Sequence, residues 1–234
     1  MQLFYDPSLE PDSKQFDFSP QESGHLVRVL RKTQGDLVHI TNGRGSLFEA
    51  EILIADQRRC SARIVSHTPS SPRRFSLHLA VAPTKMNDRY EWLLEKATEI
   101  GLDQISPILC ERSERKTIKE ERFERVLQSA MKQSLRTQLP KLNSLRPLND
   151  FLQGELPGLK FIAHCGEGDK MELKRVAQSD RDITVLIGPE GDFTKEEVDL
   201  ARAKGFVPIS LGSHRLRTET AALLACAVVN TINN

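Results

Sequence analysis

The chain has 234 residues, of which 38% are hydrophobic and 28% are charged, and its formal net charge at pH 7 is +1. These values are typical of a globular protein with one large domain or two small ones. The longest unbroken apolar run, Ala221–Val229, has nine residues, which is too short for a helix that spans a membrane.

Neither the N-terminus nor the cysteines indicate export. Residues 1–7 lack the basic region and the apolar core of a signal peptide. The four cysteines, at positions 60, 110, 165 and 226, lie fifty or more residues apart, which predicts neither a metal site nor a disulfide scaffold. We therefore expect a cytoplasmic protein with reduced thiols.

Residues 1–70 show the pattern of a small β-barrel after one short helix. Ser19 and Pro20 form a helix start, with the serine as N-cap and the proline at the first helical position. Strands are predicted over 37–41, 47–54 and 60–65, separated by turn residues. In the second of these strands the alternation places Phe48, Ala50, Ile52 and Ile54 on one face.

Residues 69–72 contain two prolines and two serines, which are typical of a linker. From Phe75 onwards strands alternate with helices, which predicts an α/β domain over residues 73–234. The first helix of this domain is predicted to be capped by Asp88. A later strand is predicted over 159–164, followed by a glycine-rich loop.

The organising part of this domain begins with a buried strand, Ile183–Ile187, that is closed by Gly188 and Pro189. Thr194 and Glu197 then form the pattern of a capping box, which predicts the next helix start, with Phe193 and Val198 as a hydrophobic staple. That helix is predicted to end at Gly205.

A second strand over 206–211, a second glycine loop over 212–218 and a nearly all-apolar helix over 220–232 follow. Both loops leave the carboxyl ends of strands, where open α/β sheets bind ligands, and glycine permits a close backbone approach. The short glycine runs at 43–45 and 166–170 lack the third glycine of a dinucleotide motif, and no Walker loop occurs. Nucleotide hydrolysis and hydride transfer are therefore not expected.

The residues Gly188–Gly191, Leu211–Gly212 and Leu216–Ala221 resemble the bacterial 16S rRNA uracil-N3 methyltransferases (RsmE type) of the SPOUT superfamily. Other segments match the same pattern: 25–31, 96–101, 111–113 and 132–136. The resemblance implies an α/β protein with an N-terminal PUA-like RNA-binding β-barrel over 1–70 and a C-terminal SPOUT domain over 73–234 that contains a deep trefoil knot. It also implies a homodimer formed through the knotted domain.

By this resemblance we expect S-adenosyl-L-methionine as the cofactor and N3 of uridine 1498 of 16S rRNA as the methylated atom, with the rRNA in the small ribosomal subunit. The cofactor-binding residues implied are Leu186, Ile187, Gly188, Pro189, Glu190, Gly191, Leu211, Gly212, Leu216, Arg217, Thr218 and Thr220. Arg217 is the candidate catalytic residue, because a guanidinium can stabilise negative charge on the uracil oxygens. The other interpretation of Arg217 is an ion pair with Glu219 or Glu190, and the general base is left open between a carboxylate and water.

Basic stretches without carboxylates occur over 126–148 and 201–218, and such stretches favour phosphate binding. The candidate RNA-binding residues are Arg28, Arg31, Lys85, Arg89, Arg112, Lys132, Arg136 and Arg215. The chain departs from the commonest family form at His214 and Arg215, and Asp192 replaces a frequent glycine. Two alternatives stay open: a SPOUT methyltransferase that acts on another RNA site, such as a ribose 2′-OH, and a non-catalytic ribosome-assembly factor.

Overall fold

The computed structural model describes residues 2–233, which divide into two compact units. The first unit comprises residues 2–72 together with Met131–Leu139, and the second comprises Arg73–Ala130 and residues 140–233. Residues 131–139 lie within the second domain predicted from the sequence. In the structure this segment pairs with the turn at 43–45: Gly45 N donates to Thr137 O at 2.9 Å, and Leu139 N donates to Gly43 O at 2.9 Å.

The first unit is built from five strands and one short helix that continues as a π-helical turn. In chain order these are β1 (Leu3–Tyr5), β2 (Gln15–Asp17), α1 (Pro20–Gly24), the π-helical turn (His25–Val29), β3 (Leu37–Thr41), β4 (Ser46–Ile54) and β5 (Ser61–Pro69). The sheet order is β1-β3-β4-β5-β2, and only the β1–β3 pair is parallel.

The alternation predicted for β4 holds for three residues and fails at the fourth. Phe48, Ala50 and Ile52 are fully buried, whereas Ile54 is 58% exposed. The pairing of β4 with β5 shifts register between Ile52 and Ile54. A bulge of this kind moves the following side chain to the other face, so the prediction for Ile54 was wrong.

The predicted helix start at Ser19 is confirmed, since its hydroxyl oxygen accepts from Glu22 N at 3.2 Å and Pro20 opens the helix. The continuation is wider than an α-helix, because Leu30 N donates to His25 O, five residues earlier, at 3.0 Å. Such π-turns are rare and often occur at functional sites.

The second unit alternates strands and helices, as predicted. Its elements are β6 (Leu77–Val81), α2 (Asn87–Ile100), β7 (Gln104–Leu109), α3 (Glu120–Gln133), β8 (Lys141–Leu142), β9 (Arg146–Pro147), α4 (Leu148–Leu152), β10 (Leu159–Ala163), β11 (Met171–Glu172), α5 (Leu173–Val176), β12 (Ile183–Ile187), α6 (Lys195–Ala203), β13 (Val207–Ser210) and α7 (Thr218–Thr231). The sheet order is β11-β13-β10-β12-β6-β7-β8, with β9 beside β7, and all of these pairs are parallel.

Strand β12 lies inside the sheet between β10 and β6, and all five of its residues are buried. Strands covered on both faces read as continuous apolar runs, which is why this segment was recognisable. The capping box at the start of α6 is confirmed: Thr194 Oγ1 accepts from Glu197 N at 3.2 Å, and Glu197 Oε2 accepts from Thr194 N at 2.9 Å. Phe193 and Val198 both belong to the core beside β12, as the predicted staple requires.

One helix prediction needs correction. Met86, and not Asp88, occupies the N-cap of α2, and Thr84 Oγ1 donates to the Met86 carbonyl oxygen at 2.7 Å.

Helix α7, which the sequence predicts to be nearly all apolar, is only partly buried by its own chain. One side is buried, with Ala222, Ala225, Cys226 and Val229, while the opposite side keeps part of its apolar surface exposed.

Among residues 2–233, no helix is long and apolar enough to cross a membrane.

Candidate active site

A cavity of about 600 Å³ lies in the second unit at the carboxyl ends of three strands that are neighbours in the sheet, β13, β10 and β12. Each strand end contributes one wall. The first wall is Ala163, His164 and Cys165 with Lys170; the second is Ile187 to Glu190 with Asp192; the third is Ile209 to Thr218 with Ala221. The cavity therefore lies where the sequence placed a ligand site, beyond the strand ends that carry the two glycine loops.

Most of the predicted cofactor residues meet in this cavity. Nine of the twelve line it: Ile187, Gly188, Pro189, Glu190, Leu211, Gly212, Leu216, Arg217 and Thr218. The other three lie beside it. Leu186 is part of the core, Gly191 abuts Arg112, and Thr220 is exposed on α7.

The sequence analysis missed the wall formed by the end of β10. Ala163, His164, Cys165 and Lys170 line the cavity but carry no motif. A signal existed, since a strand followed by a glycine-rich loop was predicted there. The position of β10 between β12 and β13 could not be read from the chain, and that position brings this loop to the cavity.

The two loop glycines are required for different reasons. A Cβ at Gly188 would lie 3.0 Å from the ring of Phe193, which is tighter than an ordinary contact, so Phe193 would have to shift to admit a side chain. A Cβ at Gly212 would meet nothing within 4 Å, but this residue has φ +134°, which other residues rarely adopt. The first loop is therefore limited by packing and the second by backbone conformation.

Long-range hydrogen bonds hold the Gly188–Gly191 loop in place. Thr218 Oγ1 donates to the Gly188 carbonyl oxygen at 3.0 Å. Arg215 donates to the Glu190 carbonyl oxygen at 3.1 Å, and Arg112 donates to the Gly191 carbonyl oxygen at 3.0 Å. In this structure, two cations that were predicted to bind RNA thus stabilise the loop.

The carboxylate of Glu190 has one satisfied oxygen and one that is not. Oε1 accepts from Lys85 N at 2.9 Å. Oε2 is buried and has no hydrogen-bond partner within residues 2–233. A buried acceptor without a donor is costly, so this oxygen suits a ligand that brings an N–H or O–H group.

Arg217 lines the cavity and is exposed, in the N-cap position of α7. Glu219 is buried and pairs with Arg89, at 3.9 Å between Oε1 and Nε. In the part of the chain that the structure describes, no ion pair joins Arg217 to Glu219 or to Glu190. Arg217 therefore lies on the exposed part of the cavity lining and forms no ion pair with either carboxylate among the described residues.

The other predicted RNA-binding residues divide between the two units. In the second unit, Lys85 pairs with Glu114 at 2.8 Å, and Arg115, which was not predicted, donates to the carbonyl oxygens of Thr84 at 3.0 Å and Lys85 at 2.8 Å. Arg115 shapes the loop after β6 in this way.

In the first unit, Arg28 donates to Gln57 Oε1 at 2.6 Å, and Lys132 pairs with Glu22 at 2.9 Å. Arg31 is exposed with φ +54°, and Arg136 N donates to the Met131 carbonyl oxygen at 3.0 Å.

Burial lowers the pKa of His164, and the charge of Lys170 lowers it further, which favours the neutral form of this wall residue. No group of three or more His, Cys, Asp or Glu side chains that could hold a metal occurs among the described residues.

A parallel sheet with a glycine-lined cavity at its strand ends, in a chain that also contains a mainly β unit, is typical of the class of RNA methyltransferases that carry a PUA domain. The family model for the RNA methyltransferase domain matches residues 71–230, and the one for the RNA methyltransferase PUA domain matches residues 18–65.

Individual proteins that are similar to this chain belong to the same class. The chain is 40% identical to a probable rRNA-methyltransferase from Porphyromonas gingivalis, with a TM-score of 0.92 over 100% of this chain and 98% of that one. It is 26% identical to a ribosomal RNA small subunit methyltransferase E from Neisseria gonorrhoeae, solved with S-adenosyl methionine, with a TM-score of 0.88 over 100% and 98% of the two chains. It is 30% identical to the enzyme of that name from Synechocystis sp., over 89% of this chain and 70% of the relative.

The chain belongs to the ribosomal RNA small subunit methyltransferase E family. The fold class predicted from the sequence, a PUA-like domain followed by a SPOUT-type α/β domain, is confirmed.

Proposed function

We propose that this protein uses S-adenosylmethionine to methylate N3 of one uridine of 16S rRNA, which by family resemblance is uridine 1498, in the small ribosomal subunit of the cytoplasm. The observation that carries the proposal is the cavity at the carboxyl ends of β10, β12 and β13, because it gathers both glycine loops and Arg217.

The residues of the cavity fit this cofactor. Ile187, Ile209, Leu211 and Leu216 supply apolar surface for a flat base, and the glycine loops bring main-chain groups close to it. Glu190 Oε2 offers a buried acceptor to a ligand N–H or O–H group. When bound, S-adenosylmethionine supplies a methyl group made electrophilic by the neighbouring sulfonium.

The chain must assist loss of the imide proton from uracil N3. Methylation replaces the N3–H bond by an N3–CH3 bond, and the proton leaves to a base or to water. As the N3 proton leaves, and until the methyl group is transferred, negative charge develops on the two flanking carbonyl oxygens, and a guanidinium that faces these oxygens stabilises such charge. Arg217 is the candidate, because it lies on the exposed part of the cavity lining without an acidic partner of its own among the described ion pairs. Glu190, which lines the cavity, and the buried Glu219 are the candidate carboxylates for the base, and water is the alternative.

We propose that both units contact RNA. Arg28, Arg31, Lys132 and Arg136 belong to the first unit, and Lys85, Arg89, Arg112 and Arg215 belong to the second. The match of residues 18–65 to a PUA domain of RNA methyltransferases supports the contribution of the first unit. Phosphate contacts of this kind fix the position of an RNA, while base contacts select the nucleotide.

We also propose a homodimer that buries the outer side of α7. Leu223, Leu224, Ala227 and Val228 on that side are only partly buried by their own chain, although all four are apolar. The trefoil knot and the domain limits 1–70 and 73–234 stay predictions.

The proposed function is tested by incubating the protein with labelled S-adenosylmethionine and small subunits from a strain that lacks the enzyme. Mass-spectrometric mapping of the 16S rRNA should show one additional methyl group on the base of a single uridine. A methyl group on a ribose would favour the alternative SPOUT activity. Binding of the RNA without any methyl transfer would favour the assembly factor.

A further inference from the structure

One wall of the cavity is a loop that is held from both sides by charged side chains. Lys170 Nζ donates to the His164 carbonyl oxygen at 2.9 Å and also to the Gly166 carbonyl oxygen. From the other side, Asp192 Oδ2 accepts from Cys165 N at 2.8 Å. Asp192, Lys170 and Cys165 all line the cavity, so these bonds fix part of its surface.

The backbone of Asp192 is unusual and is itself held in place. The residue has φ +63°, a region that glycine adopts more easily than aspartate. Its N–H donates to the Pro189 carbonyl oxygen at 2.9 Å, and its Oδ1 accepts from Phe193 N at 2.9 Å. Glycine would fit this backbone better but would leave the Cys165 amide without its acceptor. Asp192 therefore adopts an unfavourable backbone conformation, and its carboxylate forms a hydrogen bond with the loop that makes up one wall of the cavity.

A second cavity, of about 680 Å³, lies on the other side of the same groups. His164, Lys170 and Asp192 line both cavities. The hydrogen bonds of Asp192 and Lys170 thus lie in the partition between the two spaces. If these bonds were lost, the 164–166 segment could move into the second cavity and the first would lose a wall.

We propose that Asp192 is a positioning residue that latches the Cys165 backbone into the wall of the cofactor cavity, so that tight cofactor binding depends on its carboxylate. The inference rests on the proposed function for the identity of the cofactor, but the latch itself can be tested without any cofactor.

Cys165 provides a direct probe of the latch. It is the exposed cysteine, whereas Cys60, Cys110 and Cys226 are buried. A thiol reagent applied to the folded protein without cofactor therefore reports on the wall segment. Asp192→Gly should raise the rate of Cys165 modification about 10-fold, the scale of one hydrogen bond to a charged group. Asp192→Asn should give a smaller increase, because asparagine keeps one acceptor oxygen and can adopt the positive φ of this position.

Asp180 offers a matched control. It lies in the same unit, has φ +55°, and does not line either cavity. Asp180→Gly should leave the Cys165 rate and the cofactor affinity unchanged. An equal Cys165 rate in wild type and in Asp192→Gly would overturn the latch.

Calorimetry with S-adenosylmethionine and with its demethylated product completes the test. Asp192→Gly should weaken the binding of each compound about 10-fold, because a less well fixed wall affects either ligand. The affinities of Asp192→Asn should lie between those of the wild type and of Asp192→Gly. If only S-adenosylmethionine binding weakens, Asp192 acts through its charge on the sulfonium, and the latch is overturned. If the wild-type chain binds neither compound while Asp192→Gly still raises the Cys165 rate, the proposed function fails but the latch stands.

Discussion

The hydroxyl of Thr218, the first residue of α7, donates a hydrogen bond to the carbonyl oxygen of Gly188, directly after β12, at 3.0 Å. Both residues line the cavity, and the bond joins its two glycine loops across thirty residues of sequence. This buried contact is one of three long-range hydrogen bonds that hold the Gly188–Gly191 loop, together with those of Arg112 and Arg215.

Replacement of Thr218 by valine keeps the shape of the side chain but removes the hydroxyl group that donates this hydrogen bond. The Gly188 carbonyl oxygen then loses its partner, which should cost about 1–3 kcal/mol of unfolding free energy and weaken S-adenosylmethionine binding. Thr218→Ser should retain most of the unfolding free energy and most of the affinity for S-adenosylmethionine. Thr98→Val is the control, since Thr98 is buried and its hydroxyl donates to Leu94 O within α2. Urea unfolding and calorimetry check the prediction, and normal affinity in Thr218→Val would contradict it.

Arg217 and Arg215 should behave differently although both line the cavity. Arg217→Ala should lower the single-turnover methylation rate by about 10²–10³-fold at nearly unchanged cofactor affinity, the scale for one donor to a developing anion. Arg217→Lys should retain only part of the wild-type methylation rate, because lysine lacks the planar guanidinium group. Arg215→Ala removes a bond to the Glu190 carbonyl oxygen and should instead weaken cofactor binding. A rate loss in Arg217→Ala that lost cofactor affinity fully explains would exclude a catalytic role.

Arg28 and Arg31 should contribute to RNA affinity through phosphate contacts. Replacing both by alanine should reduce the slope of log affinity against log salt by roughly 1.4–1.8, since each contact contributes about 0.7–0.9. Cofactor affinity should not change. Arg58 and Arg63 belong to the same unit and serve as a control that removes the same charge from positions not predicted to bind RNA. An unchanged slope would remove Arg28 and Arg31 from the interface.

His78 should make stability depend on pH. Burial lowers its pKa from 6.5 to about 4, with smaller effects from Lys141 and Arg146, and its Nε2 lies 2.8 Å from Ser106 Oγ. Between these pKa values the unfolded chain binds more protons than the folded one. Unfolding free energy should therefore fall by about 3 kcal/mol as the pH drops from 6.5 through 4. His78→Gln should flatten this dependence in urea titrations, and an identical pH profile in the variant would contradict the assignment.

The outer side of α7 should hold the dimer together. Leu224→Glu places a carboxylate on that side, and burying it without a partner is costly, so the variant should be monomeric or poorly soluble. Thr231→Glu, at an exposed position of the same helix, should leave the assembly unchanged. Sedimentation velocity at micromolar concentration distinguishes these outcomes. A monomeric wild-type protein would count against the proposed dimer.

The sequence by itself determined the features whose causes are local. The start of α6 could be predicted because its capping box involves only Thr194 and Glu197, three residues apart. Strand β12 was predictable because a strand buried on both faces needs an apolar residue at every position. The family motif likewise located both glycine loops, since each loop is continuous in sequence.

Tertiary structure alone decided which segments meet. The β10 loop with Cys165 and Lys170 reaches the cavity because β10 lies between β12 and β13, an order that no local pattern contains. Arg112 and Arg215, which the sequence predicts to bind RNA, also donate to loop carbonyl oxygens 79 and 25 residues away. A charged side chain has the same local signature whether it faces solvent or a distant backbone group, so only the packing of the strand ends distinguishes the two.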